Sequence, residues 1–334
     1  MIISENKQLK TYNTFGISAI AGRIFEIECN DDLIQLFKEF SAEDFIILGG
    51  GSNILLTKEF YKNVIYINIQ GIDISERNLN STVVKVAAGT EWDDFLKFNL
   101  NNNIYGFENL ALIPGKAGAA PIQNIGAYGV EQKDYFFKLT AYLTDENKFV
   151  ELSQEECQFS YRNSIFKNEL KGKVIITDVY YKLLNEFQPN LDYKDLSVFK
   201  SKNIEAIELF DKVCEIRKAK LPYPDEAGNA GSFFKNPVIE YDKYISLKEE
   251  FPDINVFHFN DKFKLSAGWL IENAGYKGKK LRDNSDAMVY KNHALIIVNM
   301  GSATGSEILE LSEEIIHAVN NKFGVILERE VNIV

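Results

Sequence analysis

The sequence predicts an α+β protein of more than one lobe, and three features predict it. Strand and helix patterns alternate through the first hundred residues, an uncharged glycine-rich stretch interrupts them at 109–129, and the segment Leu221-Pro-Tyr-Pro-Asp225 breaks the chain again. With 334 residues the chain has the length of about two average domains. Its composition, 46% hydrophobic and 25% charged, supports a packed core rather than long disorder.

The elements follow in order. Arg23–Glu28 reads as a strand. Asn30 or Asp31 can cap a helix running to Phe40, with Leu33, Leu36, Phe37 and Phe40 on one face. Phe45–Leu48 is a short apolar run that ends in Gly49, Gly50 and Gly51. Val64–Ile69 and Thr82–Ala88 read as strands, and Glu91–Asn101 has helical spacing in Trp92, Phe95, Leu96 and Leu100. Lys138–Leu152 reads as a hairpin across Asp145–Asn147, and Val174–Leu183 as a strand. Ile204–Lys220 is an amphipathic helix, which Leu221–Asp225 stops at an expected domain boundary. Beyond it the pattern gives a helix near Ser266–Ala274, a strand at Ala294–Asn299, a helix from about Ser306 to Lys322 and a closing strand Val325–Ile333.

Charge and cysteine content narrow the function. A formal net charge of -11 argues against a nucleic-acid binder, which needs a basic footprint. Small anions remain possible, because backbone N–H groups and a few Arg or Lys hold them locally. Cys29, Cys157 and Cys214 are far apart and show no ligand spacing, so neither a disulfide framework nor a metal site is expected. Met1–Thr11 has no apolar run of a leader segment, and no stretch approaches the length of a membrane span.

Five stretches can carry chemistry. In Ile46–Leu56 a strand runs into three glycines and then Ser52 and Asn53; consecutive N–H groups in such a turn can form an anion nest, or the segment is a tight turn between strands. The run Asn109–Gly129 fits neither helix nor strand and carries almost no charge, so its backbone groups need partners that a ligand could supply. Cys157–Lys167 places Tyr161 beside Arg162, in what could equally be a solvated turn. In Gly228–Pro237, Ser232 follows Gly231 and precedes two aromatics, with no histidine in a nucleophile motif; His258, His293 and His317 read as structural or peripheral. In Val325–Val331, Glu328 and Glu330 alternate on one strand face, which could be a plain solvent edge.

Taken together and in this order, these stretches resemble the UDP-N-acetylenolpyruvoylglucosamine reductases, in the longer form with an extra substrate-covering loop. The likeness runs from Asn13-Thr-Phe-Gly16 to the final strand, and its most specific parts are Pro121–Gly129, Tyr161–Lys167 and Gly228–Pro237. The resemblance implies a two-lobed FAD-binding fold plus a smaller α/β substrate-binding domain. The lobes would be 1–68, completed by 325–334, then 69–218, with the substrate domain at 219–324. The site would lie where they meet, since the catalytic candidates come from different segments.

It further implies noncovalent FAD, held by Gly49, Gly50, Gly51, Ser52, Asn53, Pro114, Gly115, Ala119, Ala120, Ile122, Asn124, Gly126 and Ala127. Tyr128, Tyr161, Tyr193, Arg217, Lys220 and Asn236 would contact the UDP-sugar. Arg162 and Glu330 would flank the enolpyruvyl carboxylate, and Ser232 would donate a proton. NADPH would be the co-substrate, the setting cytoplasmic, the assembly a monomer without metal, nucleic acid or membrane. Departures from the family pattern fall at Ala119 and Ala120, where serines are common, and at Asn332, where an arginine is; backbone N–H groups are expected to replace the missing hydroxyls. Two readings stand beside this one: a flavin-dependent oxidase of the wider group, and a non-catalytic sugar-nucleotide-binding protein that kept the fold.

Overall fold

The computed structural model describes residues 1–224 and 226–334; Asp225, the end of the Leu221–Asp225 break, lies outside the described residues. The chain divides into two compact units, the first comprising Met1–Lys7, Ala21–Gly50 and Tyr61–Ala219, the second Gln8–Ile20, Gly51–Phe60 and Lys220–Val334.

The first unit rests on two sheets. One contains β1 (Ile2–Gln8), β2 (Ile20–Ile27), β3 (Ile46–Leu48) and β5 (Phe60–Ile67) in the order β1-β2-β5-β3; β4 (Ile54–Leu55) belongs to the second unit. Helix α1 (Asn30–Glu39) covers this sheet with Leu33, Leu36 and Phe37, which the sequence spacing placed on one face. Its cap is Cys29, not Asn30 or Asp31: the Asp32 carboxylate accepts from the N–H groups of Glu28 and Cys29 and so closes the first turn one residue early.

The other sheet is antiparallel, in the order β11-β10-β12-β7-β6. It is built from β6 (Ile72–Arg77), β7 (Ser81–Ala87), β10 (Phe136–Leu143), β11 (Lys148–Ser153) and β12 (Val174–Leu184). Tyr142 and Ile175 on one face pack with Phe25, Ile27 and Phe37 of the first sheet and α1, so the two layers share a core. The opposite face packs on α2 (Trp92–Asn101) and α4 (Ala206–Lys220) through Trp92, Phe95, Leu209, Phe210 and Val213. The short hairpin β8 (Gly126–Ala127) and β9 (Val130–Glu131) and the one-turn helix α3 (Gln154–Cys157) complete the unit. Strand β6 was illegible in the sequence because it is a sheet edge exposed along most of its length.

Beneath α2 the turn Glu108–Leu110 is wholly buried, and Trp92 Nε1 donates to the Leu110 carbonyl at 3.1 Å. Both Glu108 carboxylate oxygens accept from the Gly106 N–H, at 3.0 and 3.1 Å. Burial pushes the Glu108 carboxyl up to about 7, against the pull of its backbone contacts. A carboxyl raised on folding adds stability that is full below its ordinary value of 4.5 and lost as pH rises through about 7. Glu108→Gln removes this dependence. Between pH 5 and pH 8 the wild-type chain should therefore lose roughly 2.5 kcal/mol relative to the variant, measured as the shift in their unfolding midpoints; parallel curves would show that Glu108 does not titrate in that window.

The second unit centres on α7 (Gly305–Phe323), whose Ile308, Leu311, Ile315, Val319 and Phe323 form one buried stripe. Thr304 and Glu307 close its N-terminus reciprocally, and Gly324, at φ +59°, ends it. A sheet of β13 (Gly228–Ser232), β17 (Ala287–Val289) and β18 (Ile296–Asn299), in the order β13-β18-β17, has β18 buried at its centre. A smaller one joins β14 (Val238–Ile239), β15 (Val256–Phe259) and β16 (Lys262–Leu265), beside α5 (Tyr241–Glu250) and α6 (Ala267–Asn273).

The closing strand expected over Val325–Ile333 is not continuous. It changes partners: Lys235 N–H donates to the Glu328 carbonyl and Glu330 N–H to the Phe233 carbonyl, and only then does β19 (Asn332–Ile333) run parallel to β4. Of the expected strand only Asn332–Ile333 forms one, because no single neighbour pairs with the whole segment.

Candidate active site

The glycine-rich turn after β3 is shaped by backbone contact. A Cβ on Gly50 would come within 2.9 Å of Gly115 Cα, so in the first unit the two glycine-rich stretches touch main chain to main chain. In the second unit Gly51 takes φ +62°, and a Cβ there would meet the Tyr12 carbonyl oxygen at 2.0 Å. Among the described residues no turn or loop carbonyl accepts from the N–H groups of Gly50 and Gly51. Consecutive N–H groups of this kind fit an anionic group such as a nucleotide pyrophosphate.

In the second stretch Lys116 is buried, its Nζ donating to the Ile67 carbonyl at 3.1 Å and to Asn68 Oδ1 at 3.2 Å, over the Tyr66 ring. Burial lowers its pKa, and the charges of Glu91 and Glu26 oppose that. The turn Ala117–Ala119 then folds back on β7: Gly118 N–H donates to Ala88 O, and a Cβ at Gly118 would meet Ala88 Cβ at 2.4 Å. The N–H groups of Ala119 and Ala120 donate to the carbonyls of Lys116 and Ala117. The backbone donors expected to replace the missing hydroxyls are thus engaged within the turn itself, because three residues of helix consume them. Ala120 lies in the apolar core, and Ala119 is exposed.

Asn124 is fully buried with φ +47°; its amide donates to Glu131 Oε2 and the Ser160 carbonyl and accepts from Gln132 Nε2 and Lys133 N–H. Its side chain shapes the loop. Ile122 offers its carbonyl to Ser164 Oγ at 2.5 Å, and Gly126 offers its own to Arg162 at 2.7 Å. Tyr161 and Arg162 occupy the tip of a turn closed by mutual N–H···O bonds between Ser160 and Asn163. Arg162 has φ +52°, a conformation that such a position reserves for Gly or Asn.

Tyr128, at φ +49°, meets the exposed Tyr193 edge to face, with centroids 5.0 Å apart. Arg217 hydrogen-bonds Tyr128; burial lowers its pKa, and the nearby positive charge of Arg162 adds to that effect. Tyr128, Tyr193, Arg162 and Arg217 thus gather in the first unit around a positive, aromatic-edged surface suited to an anionic ring-bearing ligand.

In the second unit, the Asn13–Gly16 stretch supports Ser232. A Cβ at Gly228 would meet the Phe15 carbonyl oxygen at 2.1 Å, and Thr14 Oγ1 donates to the Asn229 carbonyl at 2.6 Å. Asn229 Oδ1 accepts from the Gly231 N–H at 2.9 Å, where β13 slips register against β18. The bulge re-aims Ser232, which is partly exposed.

The Glu330 N–H bond to Phe233 O, 2.8 Å, brings Glu330 beside the serine segment. Glu330 is half-buried, while Glu328 is exposed and ion-paired with Lys235. Asn53 donates to the Glu330 carbonyl at 3.4 Å. Asn332, where an arginine is common, uses its N–H and its side-chain amide on the Asn53 carbonyl, at 3.1 and 3.0 Å. Asn236 Oδ1 accepts from Ala267 N–H at the start of α6, and Lys220 is exposed at the end of α4, its charge helping burial to lower the pKa of His293.

Comparison with known proteins bears on this arrangement. The FAD binding domain family matches residues 22–153, and the C-terminal domain of UDP-N-acetylenolpyruvoylglucosamine reductase matches residues 222–334. The UDP-N-acetylenolpyruvoylglucosamine reductase of Flavobacterium johnsoniae is 43% identical over 100% of both chains. The chain belongs to the UDP-N-acetylenolpyruvoylglucosamine reductase family. The Shewanella sediminis reductase is 42% identical over 100% of this chain and 97% of its own. The crystal structure of the Thermus caldophilus reductase shares the fold, with a TM-score of 0.69 at 24% identity, over 99% of this chain and 98% of that one. Family membership agrees with the α+β class and the FAD-binding first portion read from the sequence. Sequence reasoning missed Asn109, Lys116 and Asn229, which act through backbone carbonyls and leave no periodic trace. Their one signal was polar residues inside otherwise apolar runs.

Proposed function

We propose that the chain reduces the enolpyruvyl group of UDP-N-acetylenolpyruvoylglucosamine to the lactyl ether, giving UDP-N-acetylmuramate for peptidoglycan precursors, with FAD as cofactor and NADPH as reductant. The observation that carries the reading, beside family membership, is the pairing of Glu330 with Phe233 in the second unit. It puts a carboxyl group and the Ser232 hydroxyl on adjoining backbone, as a hydride-then-proton addition requires. The three-part division is kept as part of the proposal: FAD lobes over 1–68 with 325–334 and over 69–218, and a substrate domain over 219–324. Operation as a cytoplasmic monomer belongs to it too; among the described residues no helix is long and apolar enough to cross a membrane.

Bound FAD would supply the hydride, taken in turn from NADPH. Gly49, Gly50, Gly51, Ser52, Asn53, Pro114, Gly115, Ala119, Ile122, Gly126 and Ala127 would hold it, with Ala120 and Asn124 shaping the loop from behind. Hydride addition at the vinyl carbon drives negative charge onto the neighbouring carbon and its carboxylate. Arg162, fixed to Gly126 O, is a preorganised cation for that charge. Glu330 serves this step as a hydrogen-bond donor, since an ionised carboxyl would repel the developing anion. Ser232 delivers the proton; a weak acid suffices because the receiving carbon is strongly basic. Tyr128, Tyr161, Tyr193, Arg217, Lys220 and Asn236 orient the UDP-sugar.

The test is anaerobic reduction of the flavin by NADPH, followed by the enolpyruvyl sugar nucleotide. The flavin absorbance should bleach and then return. Return with oxygen alone would instead favour an oxidase. No cysteine or histidine stands among the residues assigned to FAD, so acid precipitation should release all the flavin into the supernatant. Yellow colour retained by the pellet would contradict noncovalent binding.

A further inference from the structure

We propose that Asn109 is a positioning residue: it ties the Tyr128 turn to the Asn190–Tyr193 segment, so that the two tyrosine rings meet the sugar nucleotide as a fixed pair. The inference rests on the reading of Tyr128 and Tyr193 as substrate contacts. All the residues concerned lie in the first unit.

Asn109 is 1% exposed, and its amide nitrogen donates to the Tyr128 carbonyl at 2.8 Å and the Asn190 carbonyl at 2.9 Å. A primary amide has two donor hydrogens, and here they go to two separate segments. The residue stands on a rigid post, the buried turn Glu108–Leu110 that Trp92 holds through the Leu110 carbonyl. One of its acceptors belongs to Tyr128, whose left-handed backbone needs an external hold.

The tie is doubled from the other side. Asn190 Nδ2 donates to Gly129 O at 3.1 Å, and Asn190 Oδ1 accepts from the Asp192 N–H at 3.2 Å. Gly129 takes φ +87°, and a Cβ there would come within 3.2 Å of Asn190 Oδ1, so a side chain at 129 would press on the Asn190 amide. Tyr193 comes next and is 43% exposed; this short anchor, the Tyr128 ring contact and the Leu196 N–H bond to its carbonyl hold it in place. Flavin chemistry does not call on this tie, whereas capture of the sugar nucleotide does.

The experiment compares Asn109→Leu, Asn190→Ala and Tyr193→Ala with the wild type. It reads flavin content, the rate of flavin reduction by NADPH without the sugar, and KM and kcat for the enolpyruvyl sugar nucleotide. Asn109→Leu should retain FAD and the NADPH half-reaction and raise KM about tenfold or more, the effect of losing two buried hydrogen bonds, with kcat little changed. Tyr193→Ala should raise KM in the wild type and add almost nothing in the Asn109→Leu background, because both changes remove the same presented ring. Full additivity of the two, or an unchanged KM in Asn109→Leu, overturns the proposal. An unchanged KM in Tyr193→Ala alone would sink the underlying assignment of the tyrosines instead. If Asn109→Leu fails to hold FAD, Asn190→Ala decides: it cuts the outer half of the tie without opening the core. A KM rise there with a normal NADPH half-reaction supports positioning, and a wild-type KM refutes it.

Discussion

Ser232→Ala should leave reduction of the flavin by NADPH near the wild-type rate and slow its reoxidation by the enolpyruvyl substrate by about 10²–10⁴-fold, the range of a single general acid. The proton is wanted only once the hydride has reached the substrate, so the two half-reactions separate. The local structure makes the substitution a clean probe. Ser232 lies at the end of β13, beyond a bulge fixed by the Asn229 side chain and the Gly231 N–H, and none of those contacts uses the serine hydroxyl. Stopped-flow absorbance on each half-reaction checks it, with flavin content as the control for folding. Equal slowing of both halves would make Ser232 a structural residue.

Glu330 and Glu328 provide the second large effect, because the structure treats two alternating glutamates differently. Glu328 is exposed and paired with Lys235; an exposed pair of this kind contributes little. Glu330 is half-buried beside Phe233 and is reached by the Asn53 side chain through its carbonyl. Glu330→Ala should cut single-turnover reoxidation by roughly 10²-fold or more, as loss of a donor to a developing oxyanion does. Glu330→Gln should keep part of the rate, since an amide still donates. Glu328→Ala should turn over like the wild type. Comparable damage in Glu328→Ala and Glu330→Ala, with FAD fully bound in both, would move the assignment off Glu330.

How far the sequence was legible depends on what each residue answers to. Elements whose side chains alternate between core and solvent were read well: α1, α2, α4 and α7 lie within a few residues of their expected bounds, as do β2, β7, β12 and the β10–β11 hairpin. Edge strand β6 and the strands around α5 have no such contrast, and periodicity passed over them. The segment 325–333 failed for another reason. Its pattern marks extended backbone, and pattern alone cannot say that the backbone changes partners at Val331. At the site, the glycine runs announced themselves by composition, yet the reason for glycine at 50 and 118 is the approach of Gly115 and Ala88, which only the fold supplies. Asn332 was seen as a missing positive charge; the structure shows a clamp on the Asn53 carbonyl. Asn124, expected to contact the cofactor, has its side-chain amide engaged by four partners around the loop, a role that composition does not reveal.

The turn that carries Arg162 has a consequence for anyone who would engineer this chain. Ser160–Asn163 closes in a shape that glycine or asparagine would enter with less strain. A search for thermostable variants, scored on survival alone, would be drawn to that position and would reward the loss of its guanidinium. On the role proposed for Arg162, robustness and turnover are opposed at that residue, as they are at the left-handed Tyr128. Stabilising campaigns should therefore hold residue 162 fixed and look for their gains in the scaffold around it.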